Sequence, residues 1–261
     1  MKDQPTFFDF AAEVGLTKHI GGVEATDTLV DLCHIGRDSY ILDVGCGVGV
    51  TPCYLAKHYG CRVVGVDIRE AMVARSRERA QREGVTDKVT FKAADAQDLP
   101  FEDGIFDAVI TESVTAFPED KQKAVGEYAR VTKSGGYVGL NESTWLKVPP
   151  PPELLDWAAQ DLGANLKPLT ASDWTELLKN AGLQNILVKT YNVDVKDESK
   201  GILRRYGFAG MMRVLWRTLK LYLRSPEYRK FVKDVRNNDI TPKSLSEYFG
   251  YGLFIGRKES K

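Results

Sequence analysis

The sequence predicts an α/β fold built on a mainly parallel sheet. The first sign is alternation: short runs rich in β-branched and apolar residues recur between segments with helical periodicity. The second is a glycine cluster, GCGVG at 45–49, directly after the first run. Glycine is poor strand material, so three alternating glycines there mark a turn that something approaches closely.

Taken in order, strands are expected over 41–44, 62–66, 89–92, 106–111 and 136–140, with helices over about 50–59, 70–83 and 119–130. The second helix reads EAMVARSRERAQRE, rich in strong helix formers, and Gly84 follows as a stop. VPPPPELL at 148–155 then breaks the pattern and leads into a further helix through position 159. Thr170 or Ser172 can cap a helix over 173–180, with Gly182 ending it. A sixth strand is expected over 186–193 and a last one over 251–256, separated by a long, mostly helical stretch at roughly 197–245. Two closing strands after a parallel set suggest a hairpin finishing the sheet, with helices inserted between its arms.

Composition narrows the class. The chain has 261 residues, 43% hydrophobic and 28% charged, which suits a globular fold with a sizeable core. Formal net charge is zero, so the molecule as a whole does not advertise a nucleic-acid partner. The start carries no apolar run behind a basic head, and no window offers 18 uncharged apolar residues; neither a signal peptide nor a membrane span is expected. Cys33, Cys46, Cys53 and Cys61 form no CxxC pair and the histidines are scattered. The expectation is no metal site and free thiols in a reducing cytoplasm.

The candidate site lies at the strand ends, where open α/β sheets bind their ligands. The glycine spacing is G-x-G-x-G, because Val50 stands where a dinucleotide fingerprint wants its last glycine. Asp43, two residues upstream, would oppose a pyrophosphate but suit an ammonium group. Asp67 follows the second strand and can accept from both hydroxyls of a ribose, or act as a turn cap. Asp95 follows the third and can accept from an exocyclic amine. The loop amides, Cys46 among them, are expected to face the ligand bare of other partners.

DVGCGVG, VVGVDI, AADAQDLPF, FDAVITESV and VTKSGGYV together resemble the successive motifs of class I S-adenosylmethionine-dependent methyltransferases, in the small-molecule branch similar to the ubiquinone/menaquinone and sterol enzymes. The resemblance spans about 35–142 and extends loosely to GYGLFIGRK. It implies a Rossmann-like sheet of seven strands whose last is antiparallel and inserted beside the fifth. It also implies an N-terminal helical cover at 1–34, a core at 35–195, a helical insertion at 196–246 and a final strand at 247–261. By position it implies that Gly45, Gly47 and Gly49 pass under the methionine part of S-adenosylmethionine and that Asp43 faces its ammonium. Asp67 would hold the ribose, Ile68 the adenine face, Asp95 with Ala96 the adenine edge, and Thr111 the floor beneath the sulfur. KHIGG resembles a cover segment that touches cofactor or substrate, which brings in His19, Gly21 and Gly22.

The expected reaction is methyl transfer to a small, partly apolar acceptor. Glu112 and His19 are the candidates for proton removal where the acceptor needs it; Trp145 could line the acceptor mouth. Segment 201–224 holds six basic residues and no acidic one. Its apolar stripe can pack on the domain as a lid, or meet an anionic membrane surface or a lipophilic acceptor; RNA contact is the third reading. Rivals to the whole assignment are an NAD(P)-dependent oxidoreductase, a methyltransferase acting on protein or RNA, and a non-catalytic cofactor-binding module.

Overall fold

A computed structural model describes residues 6–161, 169–193, 195–238, 242 and 244–259. Five parallel strands form first: β1 (Tyr40–Val44), β2 (Arg62–Asp67), β3 (Val89–Ala93), β4 (Phe106–Glu112) and β5 (Thr132–Trp145). A two-residue strand, β6 (Leu169–Thr170), pairs with the end of β5; β7 (Leu183–Asn192) and β8 (Phe249–Lys258) close the sheet. The order is β3-β2-β1-β4-β5-β8-β7, and β8 runs antiparallel to both neighbours. The expected seven strands are there, with β6 added. The fifth is much longer than the sequence suggested, because β8 pairs with β5 along its length from Tyr137 to Trp145 and so keeps NESTW extended.

Helices cover both faces of the sheet. α2 (Gly22–Leu32), α3 (Val50–His58) and α4 (Glu70–Glu83) bury Leu29, Leu55 and Val73 with Ile41, Ala108 and Ile110. α5 (Lys121–Val131) and α7 (Ala171–Asn180) bury Tyr128, Trp174 and Leu178 with Leu42, Val109 and Phe254 on the other face. A strand buried on both faces reads as a continuous apolar run, which is why 41–44 and 106–111 were legible. Each fully buried aliphatic side chain there contributes about 1.5–3 kcal/mol. α7 starts as expected: Thr170 and Asp173 form a reciprocal capping box.

The remaining helices assemble above the strand ends. α1 (Phe7–Val14) packs against α8 (Val195–Arg224), and Phe10 of α1 meets Tyr228 and Phe231 of α9 (Pro226–Asn238). α2 also touches α8. The cover and the insertion, distant in sequence, thus form one cap. α6 (Pro152–Asp161) and α10 (Leu245–Tyr248) pack Leu154 and Leu245 with Trp145 and Phe249, so Trp145 serves as packing.

α8 corrects one of the readings left open. Its apolar stripe does not face the domain: Phe208, Leu215 and Trp216 are 77%, 60% and 66% exposed. The inner face is made instead by Gly210, Val214 and Arg217, whose guanidinium reaches Glu78 at 3.3 Å. No described helix is long and apolar enough to cross a membrane.

Candidate active site

The floor of the site is the β1–α3 turn. Asp43 is buried at the end of β1, and one of its carboxylate oxygens, Oδ2, has no hydrogen-bond partner. Burial, then the neighbouring charge of Glu112, holds its pKa well above the usual carboxylate range, with Arg205 pulling the other way. An orphaned buried acid is costly unless a cation comes to it.

The glycines serve close approach. Gly49 sits at φ +75°, and a Cβ there would lie 2.9 Å from the Ser76 Cα. A Cβ on Gly47 would lie 2.9 Å from the Thr17 hydroxyl oxygen, and one on Gly45 would collide with Val114. The loop amides are not bare, which corrects the sequence reading. The N–H groups of Gly45 and Cys46 both donate to the Val66 carbonyl, at 2.7 and 2.8 Å, and that of Gly49 donates to the Cys46 carbonyl. The Gly47 N–H donates to Asp67 Oδ2 at 3.0 Å. A loop needs its own internal bonds to hold this shape, and β2 lies near enough to supply them. The Cys46 thiol is buried, its pKa raised by that burial.

Asp67 sits at the tip of β2. Its Oδ1 accepts from the Arg69 N–H at 3.0 Å, so it does cap the turn into α4 while its remaining lone pairs stay available. Burial raises its pKa, against those two amide bonds. Ile68 beside it is 68% exposed, an apolar side chain presented at a strand tip. Asp95 accepts from the Gln97 N–H at 2.8 Å and bridges to Asp98, which shapes the loop that carries Ala96. Thr111 is wholly buried. Its hydroxyl turns to Thr115 and Glu142, so only its backbone can reach a ligand.

Beside the glycine turn lies a buried polar network. Glu112 at the end of β4 accepts from the Thr26 hydroxyl at 2.8 Å and from the Thr51 hydroxyl at 2.7 Å, and its Oε2 lies 3.3 Å from His19 Nε2. The Asn141 amide approaches His19 Nδ1 at 3.4 Å and donates to the Ile20 carbonyl at 2.9 Å. Nδ1 also lies 3.2 Å from the Ile20 carbonyl and Nε2 3.3 Å from the Thr26 hydroxyl, so each ring nitrogen of His19 faces an acceptor. Burial, then the Arg205 charge, pushes the His19 pKa down to about 4. Burial also opposes ionisation of Glu112, yet His19, Arg205 and the two hydroxyls outweigh it and hold its pKa below the usual range. At neutral pH the pair is a neutral imidazole beside a carboxylate.

From α8 come two residues the sequence reading did not single out. Arg205 Nη2 donates to the Thr51 hydroxyl at 2.9 Å, while its buried Nη1 has no partner. The Tyr206 hydroxyl accepts from the Thr17 N–H and donates to the Thr17 carbonyl, both at 2.8 Å. Gly21 and Gly22, at the start of α2, lie against Tyr251 and Gly201; they fit the cover to β8 and α8. The signal for Arg205 and Tyr206 was the RRY triplet opening the basic segment. For Thr51 it was its place in the first turn after the glycines. Among the described residues, no group of three or more His, Cys, Asp or Glu side chains is arranged to hold a metal ion.

Asp43 with an unpartnered oxygen, the glycine turn, Asp67 at the tip of β2 and the exposed Ile68 thus stand together at the strand ends. Residues 42–140 match the family described as "Methyltransferase domain". A Haemophilus influenzae protein with no assigned function is 32% identical over 227 residues, 85% of this chain and 89% of its own. A sarcosine/dimethylglycine N-methyltransferase of Halorhodospira halochloris is 35% identical over 102 residues, 39% of this chain and 37% of its own. The solved Haemonchus contortus phosphoethanolamine N-methyltransferase 2, with phosphomonomethylethanolamine and S-adenosylhomocysteine bound, superposes with a TM-score of 0.72 at 18% identity. It covers 99% of this chain and 59% of its own. The chain belongs to the class I S-adenosylmethionine-dependent methyltransferases. Its cofactor is S-adenosylmethionine, and the oxidoreductase and nucleic-acid alternatives are not favoured.

Proposed function

We propose that this enzyme methylates a small, partly apolar acceptor that arrives with its lone pair already available, an amine before a hydroxyl. The observation that carries this is the engagement of Glu112, whose carboxylate is already taken up by the Thr26 and Thr51 hydroxyls and by His19. His19 and Glu112 both titrate below neutrality, whereas a general base works best with a pKa near the working pH. The H. halochloris relative, by its name, also acts on nitrogen.

Bound S-adenosylmethionine supplies a methyl on a cationic sulfur, already an excellent electrophile. The protein's part is to bind, align and exclude water, and alignment can supply roughly 7–11 kcal/mol. In this reading Asp43 takes the ammonium. Gly45, Cys46, Gly47 and Gly49 provide the close surface under the methionine chain. Asp67 accepts from the ribose hydroxyls, Ile68 covers one adenine face, and Asp95 with Ala96 meets its edge. The Thr111 backbone closes the floor, and Gly21 and Gly22 let the cover seat. Glu112 and His19 act as a fixed carboxylate and its orienting partner: they tie α2 to α3 and keep negative charge near the transfer site. They do not remove a proton.

The test uses S-adenosylmethionine with a labelled methyl and a panel of amines, phenols and thiols matched in size. Label on an amine, with a rate that follows only the amine's own ionisation, supports the reading. A pH limb that belongs to the enzyme and disappears in Glu112→Gln would make the pair a general base and move the acceptor class to hydroxyls or enolic carbon.

A further inference from the structure

The outer half of α8 has the wrong polarity for a lid. Gly207 breaks the helix at φ 64°, ψ 170°, a conformation that only glycine adopts readily. Before the break, Arg205 and Tyr206 reach into the site. After it, Phe208, Met212, Leu215, Trp216, Leu219 and Leu223 share one face of about 100° at helical spacing. Each is 48–77% exposed. That strip points away from Gly210 and Val214, the inner face, and is a contiguous run of large exposed apolar side chains of the kind that marks an interaction surface.

The flank of the strip is cationic. Arg213, Lys220 and Arg224 lie along one edge, all exposed, with Trp216 between them and the aliphatic centre. Over 201–233 there are nine basic residues and one acidic, in a chain whose net charge is zero. We propose that this face of α8 docks on a membrane surface bearing anionic headgroups, the strip entering the acyl boundary and the basic edge meeting phosphates. Two features select this occupant. A two-fold dimer of antiparallel helices centred on the strip would set basic edge against basic edge, with Arg213 of one copy near Lys220 of the other, which like-charge repulsion opposes. The strip itself is a convex helix face of apolar side chains with no polar group at its centre to specify a protein partner. Docking would place the membrane beside the helix that carries Arg205 and Tyr206, so a partly apolar acceptor could enter from it; the docking claim does not depend on that acceptor's identity.

Flotation of the full chain with phosphatidylcholine vesicles, with and without phosphatidylglycerol, tests the proposal. The wild type should float with the anionic vesicles and bind neutral ones at least about tenfold more weakly. Leu215→Glu/Leu219→Glu should lose about tenfold or more on anionic vesicles, and Lys220→Glu/Arg224→Glu about tenfold, the latter with a weaker salt dependence. S-adenosylhomocysteine affinity, measured in parallel, certifies each protein as folded. A folded wild type that ignores both vesicle types overturns the proposal, as does binding that both double variants leave intact. Sedimentation showing a wild-type dimer that Leu215→Glu/Leu219→Glu converts to monomer, without vesicle binding, would assign the strip to a second copy and overturn it too.

Discussion

The two walls of the crevice are made of different material. The proposed cofactor wall, at the ends of β1, β2 and β3, is backbone shaped by glycines, with acids placed at strand tips. The cap, α1 and α2 with α8 and α9, is side chains from distant segments meeting one another. The first wall is stiff because its geometry is built into the sheet. The second is held by a few bonds: Tyr206 to Thr17, Arg205 to Thr51, Arg204 to Glu24. Affinity for the nucleoside should therefore respond to small backbone changes in the first wall, and acceptor handling to side-chain changes in the second.

The largest effect is expected at Gly49. Gly49→Val adds both a strained positive φ and a clash with the Ser76 backbone, which stands 2.9 Å from the new Cβ. The cost should be about 3 kcal/mol or more by denaturant unfolding. A loss under 1 kcal/mol would mean the turn can relax and that the stiff wall is not stiff.

Next comes the pH dependence of the buried network around His19 and Glu112. His19 sits at about 4 in the fold against an ordinary 6.5. Between those values the unfolded chain binds a proton that the folded one refuses, so stability falls as pH drops from 6.5 towards 4, by about 3 kcal/mol at most. Glu112, held below its ordinary range, adds a loss only at the acid end, where its folded form finally protonates. Asp43 works with the opposite sign: its raised pKa gives stability that is lost as pH rises through its folded value. Comparing unfolding of the wild type with His19→Gln at pH 7 and pH 4.5 isolates the first contribution. Equal slopes in the two proteins would show that His19 is not held neutral.

Asp43→Asn separates binding from stability. Affinity for S-adenosylhomocysteine, read by calorimetry, should fall about 10- to 100-fold with loss of a charged hydrogen bond to the ammonium. The unliganded variant should lose less stability than wild type as pH rises, because the amide has no charge to bury beside Glu112. In the wild type, affinity should tighten as pH rises and Asp43 ionises. An unchanged affinity in Asp43→Asn would remove Asp43 from the site.

How much of this could be read from the chain follows the same division. Strand ends and glycine spacing are local patterns, so β1, β2 and β4 were legible, and with them the places of Asp43 and Asp67 at strand ends. The donors of the glycine loop were misread because their partner, the Val66 carbonyl, lies on another strand. The full length of β5 depended on β8, more than a hundred residues away. The orientation of α8 stayed open in the sequence because an amphipathic helix has two faces, and the sequence does not say which one the domain takes. Here Glu78 and the close approach at Gly15 drew Arg217 inward. The Thr26–Glu112–Thr51 network joins three elements through ordinary threonines, which carry no motif.

The smallest predicted effect is the sharpest probe of the cap. Tyr206 OH makes a reciprocal pair of bonds with the Thr17 backbone, and its ring lies under the Arg79 guanidinium at 5.1 Å. Tyr206→Phe keeps the ring and removes both bonds, at a net cost of about 1 kcal/mol. Thr17 also lies over Gly47, so the bond pair is one link between cap and glycine loop. If the cap serves the acceptor, KM for the acceptor should rise about fivefold while S-adenosylhomocysteine affinity stays within about twofold, because the aspartates and the turn are untouched. If instead the cofactor affinity falls as much as the acceptor's, Thr17 and Tyr206 belong to the nucleoside pocket and the two walls are not separable.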